Sequence, residues 1–297
     1  MSLRAELLRL GLRRFFKRRS RHETVEHWRR RLAAAERFVP DFPPGTQTVA
    51  VNADGVKADR ITSPAGQQDR HILFLHGGGF VAGSPALYRG VTWRIAAAAQ
   101  ACVLAIDYRL APEHPFPAAL EDAVTAYRWL LTDGADPRRI AVIGDSVGGG
   151  LTFSLLVKLR DQGVFSPAAA VALSSWTDLA LTGRSVRLNA AADPVLNVED
   201  LKKLAACYLA GTDARNPHAS PAYADPAGLP PTLIQVGSDE ILRDDARHMA
   251  ERLRTAGCEV ELEIWPRMPH GWHLFAPLIP EAHQAIERIG AFVRNRL

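Results

Sequence analysis

The chain has 297 residues, 47% of them hydrophobic, a net charge of +4 and three cysteines. Such a length and apolar content support one large core in a single α/β domain with a modest insertion, and exclude a disordered chain. Cys102, Cys207 and Cys258 are few, odd in number and set among apolar neighbours, which argues against a disulfide framework and for a reducing compartment.

Residues 1–45 are helical in character and basic, with Arg13, Arg14, Lys17, Arg18, Arg19 and Arg21 around Phe15 and Phe16. A secretory leader needs an uninterrupted apolar centre, and Arg4, Arg9, Arg13 and Arg14 break this one; no later run is long enough to span a bilayer. A soluble, cytoplasmic protein is expected, with weak peripheral contact to anionic membranes as the secondary reading of the basic stretch. No nucleic-acid-binding motif accompanies the charge, so nucleic acid is not an expected partner. Residues 48–51 and 57–61 flank Ala53-Asp54-Gly55 and predict a hairpin. Beyond it, apolar runs at 72–75, 103–106, 140–143, 168–174 and 233–236 alternate with helical patterns, and residues 260–265 alternate like a last, half-exposed strand. The pattern predicts a mostly parallel sheet covered by helices on both faces.

Four of these strands run into chemistry. The run 72–75 feeds His76-Gly77-Gly78-Gly79-Phe80, whose successive glycines leave backbone N–H groups open to a developing oxyanion. His76 is read as shaping that loop. The run 140–143 feeds Gly144-Asp145-Ser146-Val147-Gly148, a G-x-S-x-G turn that holds a serine hydroxyl out between strand and helix, with the Val147 N–H as a further donor. A serine needs a base and an acid that orients the base. Asp239 lies just past the 233–236 strand and is taken as the acid, ahead of Asp244 and Asp245, which suit a helix start; Glu240 is expected to point the other way along the loop. His270 follows the last strand and is taken as the base, with His273 its rival. The order Ser, Asp, His is that of α/β-hydrolases. The proline-rich stretch 107–119 suggests a charge network of Asp107, Arg109 and Glu113 beneath the site, since buried charges persist only when paired.

Together with Asp107-Tyr108-Arg109-Leu110-Ala111-Pro112-Glu113, Ser238-Asp239-Glu240-Ile241-Leu242 and His270-Gly271-Trp272, these motifs resemble the bacterial hormone-sensitive-lipase family of α/β-hydrolase esterases, in its GDSAG subgroup. The likeness runs from about residue 48 onward, with Val147 replacing the usual alanine. It implies an α/β-hydrolase fold with an eight-stranded, mostly parallel sheet and a helical cap. Residues 1–45 and 181–220 would form the cap, and 46–180 and 221–297 the core. It implies Ser146 as nucleophile, His270 as base, Asp239 as acid, and the N–H groups of Gly78, Gly79 and Val147 as oxyanion hole. The expected activity is hydrolysis of short to medium acyl esters through an acyl-enzyme, and a homodimer paired through an edge strand is implied as well. A lactonase, amidase or acyltransferase would use the same residues, and a non-catalytic ligand-binding protein on this fold is the other alternative. No Cys/His cluster has zinc spacing and no G-x-G-x-x-G opens a helix, so neither metal nor cofactor is expected. Ala190, Ala191, Ala192, Phe15, Phe38 and Trp272 are available to line a pocket.

Overall fold

The computed structural model describes residues 1–17 and 24–297; Arg18, Arg19, Arg21 and His22 of the basic stretch lie outside the described residues. Helices α1 (Leu3–Phe16) and α2 (Val25–Glu36) come first, then the hairpin of β1 (Gln47–Ala53) and β2 (Val56–Thr62). Its turn takes φ of 51° at Asp54 and 98° at Gly55, the left-handed pair that a tight right-twisted hairpin needs. There follow β3 (Gln67–Leu75), α3 (Pro85–Ala99), β4 (Ala101–Asp107), α4 (Ala118–Thr132), β5 (Ile140–Asp145), α5 (Val147–Asp161) and β6 (Ala169–Leu173). After α6 (Ser185–Leu188) and α7 (Val198–Leu209) the alternation resumes with β7 (Thr232–Gly237), α8 (Arg243–Thr255), β8 (Val260–Trp265) and α9 (Pro280–Arg294).

The sheet order is β1-β2-β4-β3-β5-β6-β7-β8, antiparallel across the first three strands and parallel from β4 to β8. Continuous apolar strands are explained by helices on both faces. In β3, Leu73 and Leu75 join Tyr127 of α4 and Leu151 of α5 on one side, while Ile72 and Phe74 join Ile95 of α3 and Ile289 of α9 on the other. All four β3 side chains are fully buried, and each burial of that size is worth about 1.5–3 kcal/mol. The carboxyl ends of β3, β5, β7 and β8 lie at one edge of the sheet, where ligand crevices of parallel sheets form. The N-terminal helices and the 181–220 segment meet above that edge, with Leu12, Phe16, Trp28, Leu32, Leu201 and Leu204 around one cavity.

The charges of the 107–119 stretch pair differently from expectation. Arg109 binds Asp122 of α4 at 2.7 Å, and Glu113 binds Arg29 of α2 at 2.6 Å, so this loop is tied to two helices rather than to itself. Asp107 stays at the surface. Among the described residues, no helix is long and apolar enough to cross a membrane.

Candidate active site

Ser146 sits between β5 and α5 with φ 57° and ψ −119°, a conformation that costs free energy in an L-residue unless its surroundings impose it. They do. Its N–H donates to the Leu173 carbonyl at 2.8 Å, and its own carbonyl accepts from the Trp176 N–H at 3.0 Å. The flanking glycines are set by close approach: a Cβ at Gly144 would lie 2.0 Å from the Gly148 carbonyl oxygen, and one at Gly148 would lie 2.0 Å from that of Leu75. No larger residue fits either place without moving backbone.

The Ser146 hydroxyl is 2.9 Å from His270 Nε2, and His270 Nδ1 is 2.9 Å from Glu240 Oε2. Glu240 is fully buried, and its other oxygen accepts from the Ser174 hydroxyl at 2.8 Å and the Gly237 N–H at 2.6 Å. Burial works against a charged imidazole at His270, yet the hydrogen bond and charge of Glu240 outweigh it and raise the His270 pKa above 6.5. The serine hydroxyl, the imidazole and a carboxylate are therefore in line.

The carboxylate is Glu240, not Asp239, and the expected triad acid is corrected on that point. Asp239 turns away from the histidine: its Oδ2 accepts from Arg9 Nη2 at 2.7 Å and its Oδ1 from the Ser238 hydroxyl at 2.9 Å. The loop after β7 is so tight that neighbouring side chains diverge, and it is Glu240 that enters with Ile241 and Leu242, both fully buried. That apolar pair directly after Glu240, against the polar Ser238 before Asp239, was the signal available in the sequence.

Gly78 and Gly79 line the cavity that holds Ser146 and His270. Their N–H groups, and that of Val147 at the start of α5, have no acceptor among the described residues. Gly78 takes φ 128°, and a Cβ there would lie 2.0 Å from the Ala82 carbonyl oxygen, so the loop conformation requires glycine. The Val147 side chain is fully buried in the core and does not line the cavity. His76 stacks on Tyr108 with centroids 4.1 Å apart, and its Nδ1 bonds the Gly77 carbonyl at 2.9 Å; burial lowers its pKa to about 4, which keeps it neutral. His273 is a core residue bonded to Gln235 at 2.9 Å, pushed by burial to about 3. Asp145 is buried and accepts from the Tyr88 hydroxyl at 2.6 Å, and burial raises it to about 6.

The cavity is apolar apart from its floor. Phe16, Trp28, Leu196, Leu201, Leu204 and Phe275 wall it. None of the six side chains named as available to line a pocket does so: Phe15 and Phe38 are exposed, Trp272 is fully buried, and Ala190, Ala191 and Ala192 lie elsewhere. Phe16 and Lys17 of the basic stretch are also engaged here, since Lys17 Nζ donates to the Ala190 carbonyl at 3.2 Å and to that of Leu196.

A family model described as alpha/beta hydrolase fold matches residues 72–274. The chain is 51% identical over 232 residues to an acetyl-hydrolase of Streptomyces hygroscopicus, covering 78% of each, and 35% identical over 257 residues to an esterase of Acinetobacter venetianus, covering 86% of this chain and 84% of that one. Among solved structures it resembles an esterase from the bacterial hormone-sensitive lipase family, with a TM-score of 0.95, 45% identity and coverage of 100% and 99%. It also resembles EstE5 soaked with p-nitrophenyl butyrate, with a TM-score of 0.95, 41% identity and the same coverage.

Proposed function

This chain belongs to the bacterial hormone-sensitive-lipase family of the α/β-hydrolase fold and is a carboxylic ester hydrolase, and from that premise we propose that it cleaves short to medium acyl esters through Ser146, His270 and Glu240. The observation that carries the assignment of roles is the unbroken line of two 2.9 Å contacts from Ser146 through His270 to Glu240.

The bound carbonyl is attacked by the Ser146 oxygen while His270 Nε2 takes its proton. Negative charge then grows on the carbonyl oxygen, within reach of the open N–H groups of Gly78, Gly79 and Val147 and at the N-terminus of α5. Such donors need no reorganisation during the reaction, which is why they are worth more than the same groups in water. Glu240 holds the proton of neutral His270 on Nδ1, leaving Nε2 free to accept, and then balances the imidazolium. His270 returns its proton to the leaving alcohol, and a water repeats the sequence to release the acid.

The residues above the sheet edge act as a cap: α1 and α2 on one side and 181–220 on the other supply apolar walls and exclude water, which strengthens the polar contacts beneath. Closure by bulky side chains such as Trp28 and Leu204 favours short and medium acyl groups. The sheet ends at β1 and β8, and either edge offers unpaired backbone for the homodimer expected from the family, which light scattering would measure. Three free cysteines fit a cytoplasmic setting.

The test is turnover of p-nitrophenyl butyrate by the wild-type protein and by Ser146→Ala. Loss of turnover in the variant is the expected result; equal rates would reject the assignment. A ligand-binding role without chemistry would not account for a base held in line with the serine.

A further inference from the structure

Asp239, displaced from the relay, belongs to a closed ring of polar contacts. Arg9 of α1 donates to its Oδ2 at 2.7 Å, Ser238 donates to its Oδ1 at 2.9 Å, and the Arg267 N–H donates to the Ser238 hydroxyl at 2.8 Å. The Arg267 guanidinium returns to α1 by binding Glu6 at 2.7 Å, and Glu6 lies 3.7 Å from Arg9. Asp239 is the residue before Glu240, and Arg267 is three residues before His270. One helix thus holds both loops that carry the relay.

The apolar contacts run the same way. Ala5 and Leu8 of α1 pack in a cluster with Met268 and Trp272, which bracket His270 in sequence. The same helix presents Leu12 and Phe16 to the substrate cavity. Within the ring, the Arg9–Asp239 pair is the shielded leg, with side chains 13% and 20% exposed, whereas Arg267 is 57% exposed. Solvent screening therefore weakens the Arg267–Glu6 leg more than the Arg9–Asp239 one.

We propose that Arg9 is a positioning residue: through Asp239 it couples the seating of the cap helix to the placement of Glu240 against His270, so that the relay is in line only when α1 is down over the cavity. This rests on the roles given above to Ser146, His270 and Glu240. Those are tested by Ser146→Ala and Glu240→Gln, which fail or hold regardless of Arg9.

The test is steady-state kinetics on Arg9→Ala, Asp239→Asn, the double variant and Arg9→Lys, each counted by active-site titration so that misfolded protein is excluded. A misplacement of the relay by a fraction of an ångström should lower kcat by about tenfold in either single variant, with KM changed by less than about threefold. The double variant should be no slower than the worse single one, as expected for two residues acting through one contact. Arg9→Lys, which keeps the charge, should recover most of kcat. Wild-type kcat per titrated site in Arg9→Ala would overturn the proposal even if its melting temperature fell, because a role confined to stability lowers the number of active sites and not their rate. Losses that multiply in the double variant would overturn it as well. Should Arg9→Ala fail to fold, Asp239→Asn and Arg9→Lys decide the matter by the same kcat criterion.

Discussion

Replacing Glu240 by glutamine separates its role from that of its neighbour. The Glu240 oxygen that faces away from the histidine accepts from the Gly237 N–H and the Ser174 hydroxyl, so in the variant the amide oxygen takes that position and the NH₂ group is turned toward His270 Nδ1. A donor there forces the ring proton onto Nε2, and the imidazole can no longer accept from Ser146. The charge is lost too: two unit charges about 4 Å apart at an effective dielectric constant near 20 attract by about 4 kcal/mol. At about 1.4 kcal/mol per decade that is about a thousandfold in kcat. Asp239→Asn removes no group in contact with the imidazole and should cost no more than about tenfold in rate, the loss a small displacement produces. The assay is kcat for p-nitrophenyl butyrate in both variants at pH 8, with folding checked by circular dichroism. A Glu240→Gln enzyme within about tenfold of wild type, or an Asp239→Asn enzyme as impaired as it, would refute the reasoning.

Three further outcomes follow from the same geometry. Because Glu240 raises the His270 pKa above 6.5 and the base works neutral, kcat/KM should fall in acid with a midpoint at or above 6.5, and Glu240→Gln should move that midpoint down; a pH–rate profile flat to pH 5 would contradict it. Gly148→Ala should lower the melting temperature steeply or prevent folding, since its Cβ would stand 2.0 Å from the Leu75 carbonyl oxygen; an unchanged thermal melt would show that the loop can shift. Leu204 walls the cavity and lies against Gly79, where a Cβ would come within 2.7 Å of it. Leu204→Trp should therefore cut hexanoate turnover more than acetate turnover, measured as the ratio of kcat/KM for the two p-nitrophenyl esters.

Much of the fold was legible because its signals are local. Asp54-Gly55 dictates a hairpin turn, and the runs at 72–75 and 140–143 are apolar at every position because β3 and β5 are covered on both faces. That Ser146 and His270 would meet could be read from the chain, since each follows a strand at the same sheet edge and motif spacing fixes that placement. The acid could not be chosen by spacing alone. Asp239 and Glu240 are adjacent, and which one faces the histidine depends on how the loop after β7 packs against Met268, whose carbonyl oxygen would lie 2.0 Å from a Cβ at Gly237. The cavity walls were illegible for a similar reason. Phe15 and Phe16 are neighbours on α1, yet one is 63% exposed and the other lines the site, and only the seating of the helix separates them. Asp107, Arg109 and Glu113 were expected to pair among themselves, but the partners of Arg109 and Glu113 stand on α4 and α2, elements that no motif near residue 110 announces, and Asp107 lies at the surface.

The most direct test of the central claim is covalent capture of the nucleophile with a sulfonyl fluoride, read by peptide mass spectrometry. The account predicts one adduct per chain, on the peptide carrying Ser146, with activity lost in proportion to labelling and no adduct in Ser146→Ala. Inactivation with Ser146 unmodified, or labelling at another residue that tracks the loss of activity, would contradict it.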